Sequence, residues 1–188
     1  GPRINAAGRL DDISIGIKCL LAENISLARS YAKTLSNLNR ARQEIEEAMH
    51  ADALMLISEV PNDVSGISVY DPNWHQGVIG IIASRMREKY HKPVVAFADS
   101  GNETASEIKG SGRSVSGVHL RDIFENIATQ HPGLIVTFGG HAMAAGLTIK
   151  RIHLELFGGA FSKEVEARAD KRDLQGIQLS DGKLTENE

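Results

Sequence analysis

The stretch from Leu27 to Leu56 constrains the fold of this chain more than any other segment. Its apolar residues recur at helical spacing, and neither Gly nor Pro interrupts the pattern before Pro61. Asn24 and Ser26 supply candidate N-cap residues just ahead of it. We therefore predict one helix of about thirty residues. A long helix with a charged outer face is typical of a connection between two domains.

The rest of the chain alternates short apolar strands with amphipathic helices, as in an α/β domain whose helices pack on a central sheet. The predicted helices are 13–22 ahead of the long helix, and then 77–90, 119–130 and 154–169. The predicted strands are 67–70, 93–97, 108–115, 133–138 and 147–149. The tail holds a further candidate strand at 176–179 and then a polar end.

Composition excludes several classes of protein. The chain has 188 residues, of which 41% are apolar and 24% charged, and its formal net charge is −3. These values exclude a largely disordered chain and a uniformly basic nucleic-acid-binding protein. Cys19 is the single cysteine, which excludes an internal disulfide bond and favours a cytoplasmic location. Because no apolar run could span a bilayer and no signal-peptide pattern is present, we expect no membrane partner.

The segment 139–146, with the sequence GGHAMAAG, is the first candidate site. Gly139 and Gly140 would let a ligand approach the backbone closely. If a short helix begins here, its free amide groups would form an anion site, to which His141 adds a proton donor. The alternative is a tight strand-to-helix crossing in which the small residues serve packing. The number of small residues favours the anion site.

The segment 109–114, with the sequence KGSGRS, is the second candidate. Arg113 suits bidentate recognition of a phosphate, and Ser111 could donate a hydrogen bond beside it. The alternative is a strand bulged at its glycines, with Lys109 and Arg113 protecting a sheet edge. Taken alone, this segment favours the structural alternative.

Two further segments carry polar side chains that could contact a nucleic acid. Trp74 could stack on a base and His75 could reach a phosphate, although a core position is the stronger interpretation of Trp74. Arg3, Asn5 and Arg9 could be phosphate contacts or surface residues, and their spacing leaves both open. No Asp, Glu and His residues have the spacing of metal ligands. The residues alone predict an α/β domain with an anion or phosphate site and no visible catalytic group.

Several segments together resemble one family, the bacterial RecJ exonucleases of the DHH phosphoesterase superfamily. The similarity lies in PRINAAGRLDD at 2–12, WHQGVIGIIASRMREKYHKPVVAF at 74–97, KGSGRS at 109–114 and FGGHAMAAG at 138–146. It covers nearly the whole chain in a consistent order. The resemblance implies an interdomain helical connector at 1–60, a DHHA1 substrate-binding domain at 61–172 and the start of an OB fold at 173–188. We accordingly expect the chain to be a piece of a longer protein.

The resemblance also implies a function. The complete enzyme would hydrolyse single-stranded DNA from its 5′ end to mononucleotides, in DNA repair and recombination. Manganese or magnesium would be held by a DHH domain that this chain lacks, so the chain alone is expected to be inactive. The implied partners are single-stranded DNA, the DHH domain and single-strand-binding protein.

The matching motifs carry implied roles to individual residues. His141 is the implied catalytic residue, and no metal ligand is implied within this chain. The implied contacts to substrate or phosphate are Ser111, Gly112, Arg113, Ser114, Gly139, Gly140, His75, Arg3, Asn5 and Arg9.

Three alternatives stay open. Phosphodiesterases of oligoribonucleotides or cyclic dinucleotides carry a similar Gly-Gly-His segment, although the motifs at 2–12 and 74–80 favour the exonucleases. A non-catalytic RNA-binding module is the second, because DHHA1-like domains also occur in alanyl-tRNA synthetases. An interaction module that binds a partner through the polar helix face at 40–47 is the third.

Overall fold

Three helices form the N-terminal part of the computed structural model, which describes residues 1–58, 63–101, 106–170 and 174. Helices α1 (Pro2–Leu10) and α2 (Ser14–Leu20) pack on the long helix α3 (Ile25–Ser58). The predicted long helix is confirmed, with 34 residues. None of the helices in the described ranges combines the length and apolar content needed to cross a bilayer.

Helix α1 differs from the turn-rich segment that its Gly, Pro and Asn content suggests. Pro2 lies in the first turn, where the missing N–H removes no helical hydrogen bond. Ala6 and Ala7 are fully buried. Burial of this small-residue face against the neighbouring helices outweighs the weak helix propensity of the other residues.

A five-stranded mixed sheet forms the centre of the remaining chain, and its strand order is β1-β2-β3-β5-β4. Its strands are β1 (Ile67–Tyr70), β2 (Val94–Asp99), β3 (Glu107–Arg113), β4 (Ile135–Gly140) and β5 (Ala144–Lys150). The accompanying helices are α4 (Ile79–Tyr90), α5 (Leu120–Gln130) and α6 (Leu154–Arg168). Strands β1 and β2 are parallel and joined through α4, whereas the other pairs are antiparallel. The predicted α/β architecture is confirmed.

The two faces of the sheet are covered unequally. On one face, α5 and α6 bury a core that contains Phe97, Phe157 and Ile149. On the other face, α3 and α4 form a second core with Val94, Ala96 and Ala98 of β2 and with residues of β1. On this second face, alternate residues of β5 and β4 remain exposed, and we call this region the open face. We next describe which of the candidate residues lie on the open face.

The segment 139–146 forms a β-hairpin rather than the start of a helix. Gly139 and Gly140 end β4, and Ala144 begins β5 after a short turn. His141 N–H donates to the carbonyl of Ala144 at 2.8 Å and closes the turn. Gly140 has φ 139°, and a Cβ there would lie 2.5 Å from Cα of Ala145. The predicted helix start and the strand-to-helix crossing are both wrong, because these small residues permit a tight hairpin.

Strand β3 lies at the centre of the sheet, paired with β2 on one side and β5 on the other. Its register with β2 runs without interruption from Arg113 to Ile108. The interpretation of this segment as a bulged edge strand is therefore wrong. Gly110 is required by packing, since a Cβ there would lie 2.5 Å from Cε1 of Phe97 and 2.6 Å from Cδ2 of Leu147. The predicted strand at 176–179 lies outside the described residues.

Replacing Gly110 tests this packing. Gly110→Ala should lower the free energy of unfolding by about 1–3 kcal/mol, because the added methyl overpacks a filled core. Gly159→Ala in α6 is the matched control, since nothing lies within 4 Å of the added methyl and Ala favours helix. Urea unfolding of both variants measures the difference. Equal stabilities of the two variants would contradict this account of β3.

Candidate nucleic-acid interface

Alternation along β3 separates its glycines from its polar side chains. Gly110 and Gly112 are buried on the side of the large core, whereas Lys109 is exposed and Ser111 and Arg113 are partly exposed. Side chains of alternate strand residues point to opposite faces of a sheet. Lys109, Ser111 and Arg113 therefore share the open face.

A glycine-floored groove adjoins these side chains. Gly139 of β4 pairs directly with Gly146 of β5, which in turn pairs with Ser111 of β3. A Cβ at Gly139 would meet nothing within 4 Å, and one at Gly146 would meet only a backbone oxygen at 3.7 Å. The groove has a volume of about 380 Å³, and Lys109 and Thr148 are among its lining residues. A ligand can approach the sheet backbone closely here, because no side chain rises from the floor.

Arg113 provides positive charge next to this groove. Its Nη1 donates to Oγ of Ser111 at 3.1 Å and to the carbonyl of Gly112 at 2.7 Å. Burial lowers the pKa of Arg113, and the nearby charges of Arg9 and Arg87 lower it further. Within the described part of the chain, no carboxylate forms an ion pair with Arg113. A cluster of like charges of this kind is stabilised by a bound anion.

The first turn of α4 lies against the same arginine. A Cβ on Gly80 would be 2.8 Å from Nη2 of Arg113 and 3.0 Å from Oγ of Ser111. A side chain at position 80 would therefore displace the Arg113 guanidinium from its present place against the helix. The N-terminus of a helix carries a partial positive charge and free amide groups. Arg113, Ser111 and the start of α4 are thus close together, and we call them the candidate anion-binding arrangement.

Helix α1 brings the opening motif to this arrangement. Nη1 of Arg9 donates to the carbonyl of Gly77 at 3.0 Å, and a Cβ on Gly77 would clash with the carbonyl of Arg9. Nδ1 of His75 accepts from the N–H of Gly77 at 3.1 Å, which leaves Nε2 to carry the proton of a neutral imidazole. Asn5 is exposed one helical turn before Arg9. The motifs at 2–12 and 74–80 are therefore in direct contact.

Three sequence-predicted residues are placed away from the open face or serve packing. Ser114 is fully buried, and its hydroxyl donates to the carbonyl of Val118 at 2.6 Å. Its side chain therefore cannot contact substrate on the open face, which corrects that expectation. Gly112 lies on the core side, where a Cβ would be 3.1 Å from Leu120. Trp74 is 4% exposed and belongs to the core, as the stronger interpretation predicted.

Arg3 also lies away from the open face. It lines a separate pocket of about 520 Å³ with Asn39 and Arg42 of α3, near the N-terminal end of α1. Arg9 lies six residues further along the same helix, which corresponds to about 9 Å along its axis. Arg3 therefore lies at the pocket beside α3 and Arg9 at the loop before α4. Asn5 lies between them on α1.

His141 occupies the tip of the β4–β5 hairpin, where it is exposed. It lies beside Ala144, which pairs with Arg113. Because neighbouring strands are about 4.8 Å apart, His141 and Arg113 lie about 10 Å apart across two strands. His141 is thus at the same end of the open face as Arg113, beyond the glycine floor.

The structure adds residues that sequence reasoning did not select. Nζ of Lys109 donates to Oε1 of Gln76 at 3.2 Å, which connects β3 to the loop before α4. Strand alternation with Arg113 could have identified Lys109. The contact of Gly80 with Arg113 and the proximity of the Arg87 charge arise from the packing of α4 on β3, which residue spacing does not reveal.

Comparison with known proteins identifies the family to which this sheet belongs. Residues 56–169 match the model of the DHHA1 domain. The chain belongs to the DHHA1 domain family. This match includes the whole sheet, the start of α4 and the hairpin, so the open face is a surface of the DHHA1 domain.

Relatives and solved structures agree with this assignment. The chain is 47% identical over 195 residues to the single-stranded-DNA-specific exonuclease RecJ of Haemophilus influenzae, covering 100% of this chain and 33% of that protein. It is likewise 47% identical to RecJ of Escherichia coli, with 98% and 32% covered. The crystal structure of RecJ in complex with Mn²⁺ from Thermus thermophilus superimposes with a TM-score of 0.77 at 30% identity, covering 90% of this chain and 24% of that one. The chain thus spans about a third of the length of these curated relatives.

Inorganic phosphate tests the anion-binding arrangement without assuming a substrate. Phosphate should raise the melting temperature of the chain, because a ligand that binds only the folded state stabilises it. Arg113→Ala should remove most of this rise, whereas Arg168→Ala, an exposed substitution in α6, should retain it. Differential scanning calorimetry across a phosphate series measures both. The same rise in both variants would exclude Arg113 from the site.

Proposed function

We propose that this DHHA1 chain is the substrate-holding part of a single-stranded-DNA exonuclease. The observation that carries the proposal is the glycine-floored groove next to Arg113, whose charge has no ion-pair partner in the described residues. The close similarity to exonucleases named RecJ supports the choice of substrate. In the longer protein, phosphodiester bonds of a single strand would be hydrolysed from its 5′ end to mononucleotides.

The open face accounts for binding of a single strand in particular. Gly139 and Gly146 give a smooth floor against which a sugar–phosphate backbone can lie. Arg113 and Ser111 offer donors to a phosphate, and Lys109 adds a second cation along the same strand. The two cations are four residues apart, or about 13 Å in an extended strand. Contacts of this kind read the backbone rather than the base sequence.

The proposal assigns hydrolysis to residues outside this chain. Within the described ranges, no three His, Cys, Asp or Glu residues are grouped so that they could hold a metal ion. We therefore assign no metal-binding role to the described residues. The RecJ structures similar to this chain contain Mg²⁺ or Mn²⁺. We propose that a DHH domain of the same protein holds such an ion opposite the open face and that the isolated chain does not cleave.

The remaining assignments follow from this division of work. We propose a connector at 1–60, the DHHA1 domain at 61–172 and the beginning of an OB fold at 173–188. Arg9, Asn5 and His75 would face the DHH domain or the strand at the junction. Single-strand-binding protein is the further partner proposed for the longer protein.

A binding titration tests the proposed substrate. Fluorescence anisotropy would compare single-stranded DNA, duplex DNA and structured RNA at one low salt concentration, with and without manganese. The account predicts a preference for single-stranded DNA, no cleavage, and weakening with added salt because phosphate contacts release counterions. A preference for structured RNA would replace this function with that of an RNA-binding module. A flat salt response would contradict a phosphate-centred mode of binding.

His141 is tested in the longer protein that contains the proposed DHH domain. His141→Ala should lower the turnover number by roughly a hundredfold or more if the imidazole transfers a proton during hydrolysis. The fold should be unaffected, because the side chain is exposed at a hairpin tip. His131→Ala, at the end of α5 beneath the opposite face, is the matched control. Unchanged turnover would assign His141 to the turn alone.

A further inference from the structure

The outer face of α3 has an uneven distribution of charge. From Ile25 to Gln43 the helix carries basic residues and no acid, whereas Glu44, Glu46 and Glu47 follow directly. Arg42 turns inward and pairs with the buried Glu46. The other basic residues of this half are exposed, namely Arg29, Lys33 and Arg40.

These exposed cations form one stripe. At about 100° per residue, Arg29, Lys33 and Arg40 lie within about 40° of one another around the helix axis. The buried Leu35 lies roughly 120–160° away from them, on the side that packs against the rest of the molecule. The stripe extends about 16 Å along the axis. It is a basic surface directed away from the packed side of α3.

This arrangement does not serve the stability of the helix. Arg29 and Lys33 are four residues apart, a spacing at which like charges repel. The first turn of α3 also contains no acid, the residue type that the helix dipole favours there. No described ion pair includes Arg29, Lys33 or Arg40. An anionic partner would relieve this repulsion.

Helix α1 connects the open face to α3, the helix that carries the stripe. Arg9 at its C-terminal end contacts the loop before α4, while Arg3 lies beside Asn39 and Arg42 of α3. In the pocket between α1 and α3, Oδ1 of Asn39 and Nε of Arg42 are buried without a hydrogen-bond partner. Arg42 lies about 140–180° around the α3 axis from the stripe. A strand that follows α1 from the open face therefore reaches the packed side of α3 first and passes around the helix to contact the stripe.

We propose that Arg29, Lys33 and Arg40 bind the phosphate backbone of single-stranded DNA beyond the groove of the open face. This secondary contact rests on the proposed function and extends the length of strand that the chain holds. Charge complementarity selects a polyanion as the occupant. Contacts of the three cations to phosphates predict binding without sequence preference.

The test is a length-dependent binding measurement on the 188-residue chain. The triple variant Arg29→Ala, Lys33→Ala and Arg40→Ala is compared with the charge-matched variant Arg121→Ala, Lys163→Ala and Arg168→Ala. Each is titrated with oligothymidylates of about 5 and about 20 nucleotides across a salt series. For the long oligonucleotide, the first variant should show a salt slope lower by about 2, since each lost contact on a single strand removes about 0.7. Binding of the short oligonucleotide and the behaviour of the control should not change.

The outcomes separate this inference from the function on which it rests. If the parent chain binds both lengths and the stripe variant matches it at both, the inference is wrong and the proposed function stands. If the parent chain binds neither length, both are wrong. If the stripe variant instead abolishes self-association in light scattering, the stripe binds the acidic half of α3 in a second copy, which overturns the inference. Ala is a favourable helical residue, so the variant retains α3.

Discussion

The central strand β3 has glycine at two core-facing positions, 110 and 112, where Phe97, Leu147 and Leu120 already fill the space. This packing gives the strand its alternation of glycine with polar residues. Pairing with β2 and β5 fixes β3 in the sheet, and strand alternation directs the intervening side chains to the opposite face. Packing of the large core thus determines where Lys109, Ser111 and Arg113 point.

The second constraint is that α4 covers only part of that opposite face. Gly80 lets its first turn approach Arg113, while β5 and β4 stay uncovered. Arg113 therefore sits partly buried, close to Arg9 and Arg87, and burial together with these charges lowers its pKa. An arginine keeps its charge even under these conditions, so the favourable response is to bind an anion. The glycine floor beside Arg113 leaves room for an anion that belongs to a polymer, such as a phosphate of a nucleic-acid strand.

Much of the fold followed from local patterns in the sequence. Uninterrupted periodicity predicted α3, and alternation of apolar strands with helices predicted the α/β sheet. The hairpin at 139–146 was not predicted, because small residues suit a helix start, a crossing and a tight turn equally well. Likewise, nothing local shows that β3 is central, since strand order depends on contacts between distant segments.

For the candidate site, the sequence predicted which types of residue take part but not how the fold arranges them. Gly139 and Arg113 were predicted as phosphate contacts because glycine and arginine suit phosphate binding. The structure connects their strands through β5, which lies between them. Ser114 belongs to the same motif, yet its burial is a consequence of tertiary packing that spacing does not reveal. Gly80 acts through a single close approach to Arg113, which only the folded structure displays.

The most direct test of this account is an NMR titration of the isotope-labelled chain with a short single-stranded oligothymidylate. The account predicts that backbone amide shifts concentrate at Lys109, Ser111, Arg113, Gly139 and Gly146. Shifts confined to α5 and α6, on the opposite face of the sheet, would contradict the assignment of the open face as the surface that holds DNA.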